Sequence, residues 1–278
     1  MLETTLGMSE RLACKAVGLA RSTFRRTKVA DTPQDPDAEL RGWLRDYAVR
    51  NPCHGFRRAW AALRHDQKRQ INVKKVHRLW TEEGLQRTVR SARKRSGQSS
   101  APAFIEADAP KVVWAIDFQW DSTVDGKAIK IASAVDEHTK QSVLNIVDRS
   151  IDAPRLVGEL ERAFTAADGP PMVLRMDNGP EFISEALRGF CAGRVGLDYI
   201  PPGTPWNNGT AESFNSRMRR ELLNRNHWTS LLEAQVGIGD YKQEHNTRHR
   251  HSSLGYLTPD EYAAQCRHTH TPVACEID

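Results

Sequence analysis

The chain has 278 residues, an apolar share of 39%, 18 glycines and 14 prolines, which is ordinary for a soluble globular protein and long enough for two domains with a well-buried core. No run approaches the ~18 consecutive apolar residues that a membrane helix needs, and the opening MLETTLGMSERLACK lacks an apolar core bounded by a cleavage site, so a cytosolic protein is expected. The net charge of +5 hides an asymmetry: residues 1–99 hold 22 Lys+Arg against 10 Asp+Glu, and residues 100–278 hold 18 against 25, so a basic first third, suited to nucleic-acid contact, precedes an acidic remainder.

Residues 1–30 include SERLACKAVGLARSTFRRTK. A short helix carrying Leu12, Ala13, Ala16 and Val17 meets Gly18, and a second begins near Arg21. That is the outline of a helix-turn-helix. DTPQDPD, residues 31–37, reads as a linker.

Residues 38–90 read as helical. Leu40, Trp43, Leu44 and Tyr47 make one apolar stripe, Phe56, Ala59, Trp60 and Leu63 a second, and Val73, Val76, Leu79 and Trp80 a third. Asn72 suits the N-cap of the third helix and Gly84 its stop. Lys74, Lys75 and Arg78 fall on that helix's outer face, which fits docking on DNA. The tryptophans read as core. SARKRSGQSSAPAFIEADAP, residues 91–110, is the second linker.

From 111 to 270 the pattern changes. Strands are expected at 112–120, 128–135 and 141–147, with a hairpin turn at Val124-Asp125-Gly126-Lys127 between the first two. A helix over 154–167, a strand over 172–176, a helix over 180–192 and a strand over 197–200 follow. PPGTPWNNG reads as a loop, and helices are expected over 210–224 and 230–244. Hairpin strands followed by alternating helices and strands mean a mixed α/β sheet.

Three acids stand out. Asp117 lies inside the apolar strand WAIDFQW, where a charge is costly without a partner or a metal. Asp177 ends the fourth strand and enters the turn-formers Asn178 and Gly179, at the end of a sheet where ligands bind in open α/β folds. Glu212 lies in the first turn of the helix after PWNNGTA.

A strand Asp, then DNGPEF, then PWNNGTAESF together resemble the catalytic core of DDE transposases and retroviral integrases. The likeness is strongest to the bacterial insertion-sequence transposases made from two overlapping frames, and to their second-frame product. HGFRRAWAALR with VKKVHRLWTEEGL, and HNTRHRHSSLGYLTPDEY, resemble the family's helical region and its C-terminal signature, so the resemblance covers nearly the whole chain. It implies a ribonuclease H-like fold, a five-stranded mixed sheet flanked by helices, preceded by an all-α helix-turn-helix-type region. It also implies Asp117, Asp177 and Glu212 as a metal-binding catalytic triad. The family spacing between the second and third acids is usually one residue longer than the 34 found here. Glu181 and Glu221 fit the motif less well.

Carboxylates suit Mg²⁺ or Mn²⁺. Two such ions about 4 Å apart would serve phosphodiester transfer, in which water exposes a 3′-OH at a transposon end and that hydroxyl attacks a second phosphodiester. Arg219 lies two turns from Glu212 on nearly the same face, with Asn215 and Ser216 between, and the family likeness makes it a DNA contact. Arg217 and Arg220 are expected to face elsewhere. Asn208 and Trp206 belong to the loop beside the site, and Trp206 either stacks on bases or anchors the loop. His249 and His251 read as structural. The partners implied are transposon-end and target DNA, a homo-oligomer on that DNA, and an upstream-frame product by fusion or association.

Five scattered cysteines argue against a disulfide framework. Cys266, His268, His270 and Cys275 have zinc-ligand residue types, but their spacing matches no common structural site, so that stretch reads as a polar tail.

Overall fold

The computed structural model describes residues 7–24, 35–86, 105–201 and 208–266. The chain divides into two compact units, residues 1–60 with 69–88, and residues 61–68 with 89–278.

The first unit is helical. Helices α1 (Glu10–Ala16) and α2 (Arg21–Phe24) are joined through Gly18, whose φ of 66° suits a residue without a Cβ. Next come α3 (Ala38–Arg50), α4 (Phe56–His65), which runs into the second unit, and α5 (Val73–Glu82). Asn72 caps α5 by accepting from Lys74 N, and Gly84 follows its end at φ 66°. Leu44, Val76 and Leu79 are fully buried and Trp80 nearly so. Trp43 stacks on Tyr47 at 5.0 Å, and Trp60 Nε1 donates to Ile71 O at 2.8 Å. Val73, expected on the apolar stripe, is exposed, because it sits at the first helical position and the buried face begins one turn later. Arg41 donates to Asp35, Glu82 and Glu83, and Arg45 to Glu83, which ties α3 to the end of α5.

The second unit is built on five strands: β1 (Val113–Ser122), β2 (Ala128–Asp136), β3 (Ser142–Asp148), β4 (Val173–Met176) and β5 (Gly196–Tyr199). Their order across the sheet is β3-β2-β1-β4-β5. The first three are antiparallel neighbours, whereas β4 and β5 run parallel to β1. The β1–β2 turn closes on Asp125, which accepts from Thr123 Oγ1 and Lys127 N, with Gly126 at φ 79°.

Helices cover both faces. On one, α6 (Ala153–Ala166) and α7 (Glu185–Cys191) bury Leu156, Leu160, Phe164 and Leu187 against Trp114, Ile116, Leu144, Ile146 and Leu174. On the other, α8 (Gly209–Glu221) and α9 (Leu231–Thr247) bury Phe214, Met218, Ile238 and Tyr241 against Ile129, Ile131, Val135 and Val147. Each large apolar side chain so buried contributes ~1.5–3 kcal/mol relative to exposure. A last helix, α10 (Pro259–Gln265), opens on a capping box between Thr258 and Glu261. This is the ribonuclease H-like arrangement. Among the described residues no helix is long and apolar enough to cross a membrane.

The helix expected from Pro180 begins only at Glu185, capped by Ser184. Residues 179–183 form a turn instead, with Phe182 N donating to Gly179 O. That turn drives Phe182 into the core, where it is fully buried and stacks on Phe118 at 4.7 Å. Residues 105–110, expected as the end of a linker, are bound to the sheet unit: Ile105 O accepts from Arg175, Ala107 O contacts His138 Nδ1, and Ala109 is buried.

Candidate active site

Strand register places two of the three acids. Val113, Trp114 and Ala115 on β1 stand opposite Val173, Leu174 and Arg175 on β4. Continuing that register by two residues sets Asp117 level with Asp177 on neighbouring parallel chains, which run about 4.8 Å apart. Asp177 is the residue directly after β4, so it leaves the sheet where pairing ends.

Asp117 is half-buried and held from two sides. Its Oδ2 accepts from Asn215 Nδ2 at 3.0 Å, and its Oδ1 from Phe118 N at 2.9 Å. Burial pushes its carboxyl up to about 6. Those two hydrogen bonds oppose the rise, and the nearby Asp177 and Glu212 carboxylates add to it. Asp117 therefore feels the charge of both other acids.

The turn after Asp177 fixes that carboxylate as well. Asp177 Oδ1 accepts from Gly179 N at 3.0 Å, an Asx-type turn, while Asn178 Nδ2 donates to Ile200 O at 2.8 Å and ties the turn to the end of β5. A Cβ on residue 179 would stand 3.1 Å from Asp177 Oδ1, so glycine leaves the carboxylate its room.

Glu212 comes from α8, which is pinned to β1 by polar contacts. Asn208 Nδ2 donates to Ile116 O at 3.3 Å, Gln119 Nε2 donates to Asn215 Oδ1 at 3.1 Å, and Arg219 donates to Trp120 O. Asn208, expected on a DNA-facing loop, is thus buried and tethers the start of the helix. Trp206 lies outside the described residues, as do His268, His270 and Cys275. Gln119 is a further polar residue of this face, buried between β1 and α8. Its position, two residues beyond Asp117 on the same strand face, is the signal the sequence offers for it.

Asp177 and Glu212 are exposed. The oxygens of the three acids do not all lie within 4.8 Å of one another, so they do not form a closed clamp. The two spare acids are already engaged: Glu181 pairs with Lys130, and Glu221 accepts from Tyr241 Oη at 3.2 Å. In the first unit Lys74, Lys75 and Arg78 are exposed on α5. Lys75 and Arg78 both reach Asp37, which offsets part of their charge.

The integrase core domain family matches residues 107–203 and again 193–259, and an HTH-like domain family matches 36–95. A 31.7 kDa protein of insertion element IS407 from Burkholderia multivorans is 36% identical over 95% of this chain and 94% of its own length. The chain belongs to the insertion-sequence transposases with an integrase core. Transposases of this group are DDE-type polynucleotidyl transferases that cut and join DNA, and Asp117, Asp177 and Glu212 lie within the residues that the integrase core family matches. Transposase InsD of insertion element IS2 from Escherichia coli is 27% identical over 77% of this chain and 74% of its own. A simian T-cell lymphotropic virus intasome shares the fold, at a TM-score of 0.51 and 15% identity over 78% of each chain.

Proposed function

We propose that Asp117, Asp177 and Glu212 are the catalytic acids of this transposase and that they hold two divalent ions, Mg²⁺ or Mn²⁺. The observation that supports this reading is the β1–β4 register, whose continuation by two residues would set Asp117 level with Asp177, together with the Asn215–Asp117 bond from the helix that bears Glu212. The donor set fits the ions: the oxygens are hard, and Asp117 is a half-buried carboxylate that makes no ion pair among the described residues. Bound there, two ions would activate the attacking oxygen and neutralise charge on the leaving one.

The chain's own groups supply the positioning. Asp117 is the fixed member, because the sheet and Asn215 hold it. Asp177 and Glu212 are exposed, the one on a turn that hydrogen-bonds its Oδ1 and the other at a helix start, and are the less constrained members. Arg219 is near enough to this face to meet a DNA phosphate, at the cost of its bond to Trp120 O. Lys74, Lys75, Arg78 and Trp206 are further DNA contacts in this reading. Assembly is as an oligomer on transposon-end and target DNA, with an upstream-frame product fused or associated.

The test uses the full chain with a pre-cleaved transposon-end duplex and target DNA. Asp177→Asn should reduce strand transfer by at least about a thousandfold, in line with a charge needed only at the reacting centre, while duplex binding is retained. Chelation should have the same effect. Normal joining by Asp177→Asn would end the assignment, and hydrolysis without joining by the wild type would make the chain a nuclease instead.

A further inference from the structure

Burial sorts the tryptophans. Trp80, Trp114 and Trp228 are buried and Trp43 and Trp60 half-buried, whereas Trp120 keeps 55% of its surface in solvent, the one exposed tryptophan among the described residues. A single exposed apolar residue is ordinary on a protein surface. Position and support set this one apart.

Trp120 lies three residues beyond Asp117 on β1, so at 3.3–3.4 Å per residue their backbones stand about 10 Å apart. The pairing of β1 with β4 covers Val113 to Ala115, and β4 ends at Met176. Beyond that point β1 runs on with only β2 paired beside it. Arg219 of α8 closes on this stretch by donating to Trp120 O. It makes no ion pair among the described residues.

The indole is held from beneath. Trp120 stands opposite Lys130 on β2, whose Nζ lies over the Trp120 ring at 5.2 Å and over the Phe118 ring at 4.1 Å. Lys130 is buried and pairs with Glu181, in the turn that follows Asp177. Its charge is therefore satisfied inside the protein, and its part is to support the ring. Phe118 in turn stacks on Phe182 of the same turn at 4.7 Å. The exposed surface of the indole is thus set in orientation and tied to the segment that bears Asp177.

A supported aromatic ring with an arginine on its own carbonyl matches one nucleotide of a single strand, the base stacking on the ring and the phosphate meeting the guanidinium. A base within a duplex has its faces covered by its neighbours, so the base that stacks here is one released from the helix. The substrate of this family supplies it: DNA is cut and joined at an end, where strands separate most readily.

We propose that Trp120 is a positioning residue for strand transfer, stacking on one unpaired base that lies within about three nucleotides of the reacting phosphodiester, since about 10 Å spans three steps of 3.4 Å along a strand. The placement rests on the reading above, in which Asp117, Asp177 and Glu212 form the reacting centre.

The test is a double-mutant cycle on the full chain. Trp120→Ala is crossed with an abasic substitution at each of the last three nucleotides of either strand of a pre-cleaved transposon-end duplex, and joining and duplex binding are both measured. Trp120→Ala should lower joining roughly fivefold to a hundredfold, and Trp120→Phe should recover most of the loss. At one abasic position the wild type should fall by a similar factor, and Trp120→Ala should then cost nothing more. 5-Iododeoxyuridine at that position should crosslink to Trp120 on irradiation, a readout that needs no turnover. Because the ring is exposed, the melting temperatures of both variants should match the wild type. Normal joining by Trp120→Ala, or a loss of the same size at every abasic position, would overturn the proposal. So would a Trp120→Ala variant that retains the cycle's wild-type behaviour but alters the sedimentation of the protein–DNA complex, which would assign the ring to a protein contact. Normal joining by Asp177→Asn would instead remove the reacting centre proposed above, while the cycle and the crosslink still judge Trp120 by themselves. A wild type that neither joins nor binds the duplex would overturn both.

Discussion

The sheet side of the candidate site and its loop side are built by opposite means. On the sheet side, Asp117 is half-buried, accepts two hydrogen bonds and is backed by a strand whose Arg175 is fully buried between Glu137, Asp198 and Ile105 O. On the loop side, Asp177 and Glu212 are exposed, one on an Asx-type turn and one in the first turn of a helix. Under the metal-binding role proposed for the three acids, the difference separates two jobs. A metal-binding site needs at least one ligand set in place beforehand, and it needs others that can close without disturbing the core.

The largest expected effect comes from attacking the rigid side at a distance. Arg175→Met leaves Glu137 buried without its cation, and should cost about 3–5 kcal/mol in urea unfolding at neutral pH. Burial already pushes the Glu137 carboxyl up, even beside Arg175. Without Arg175 it should rise further. The penalty is then fully present above the raised value and fades as acid protonates Glu137, so the loss should shrink toward pH 4.5, where the unfolded carboxyl titrates. A loss that does not change with pH would show that packing, not charge, holds this strand.

A smaller effect is expected at the join between the two sides. Asn215→Ala removes the donor to Asp117 and the acceptor for Gln119, and should lower strand transfer by about ten- to a hundredfold, as is usual for groups that orient metal ligands. In the proposed reading Asn215 positions Asp117 through its hydrogen bond, so duplex affinity should hold, and the metal concentration needed for half-maximal activity should rise. An unchanged metal requirement would mean that Asp117 is not the preset ligand. The mildest change is Gly179→Ala on the loop side. Its Cβ would meet Asp177 Oδ1 at 3.1 Å, and since a turn can yield, activity should fall only a few-fold with stability within about 1 kcal/mol. A collapse of activity as deep as that of Asp177→Asn would show that the turn is as fixed as the strand.

Much of this was legible in the residues. Alternation and turn chemistry placed all five strands, with ends shifted by no more than two residues. The buried-charge argument singled out Asp117. The same argument applied equally to Arg175 in MVLR and was not made there, and its partners Glu137 and Asp198, on other segments, gave no local sign. Register was beyond reach, because the pairing of β4 with β1 is set by a crossover through α6 and not by any nearby turn. The delayed start of α7 was hidden as well, since Pro180 suits a helix start and only the burial of Phe182 explains why it does not serve as one. The grouping of Trp120 with Lys130 and Glu181 joins three separate segments, and only the pairing of β1 with β2 and the turn after Asp177 reveal it.

The β1–β4 register has an evolutionary corollary. The strands just ahead of Asp117 and Asp177 are aligned by hydrogen bonding between neighbours, so the 59 intervening residues can lengthen or shorten without shifting that alignment. A slip of one residue in β4, by contrast, would turn Asp177 to the opposite side of the sheet. The interval to Glu212 enjoys the same freedom while Asn208 keeps its hold on Ile116 O, because that bond ties the start of the helix to β1 whatever the length of the loop before it. In this lineage, insertions should accumulate between the strands and helices that bear the acids and spare the elements themselves.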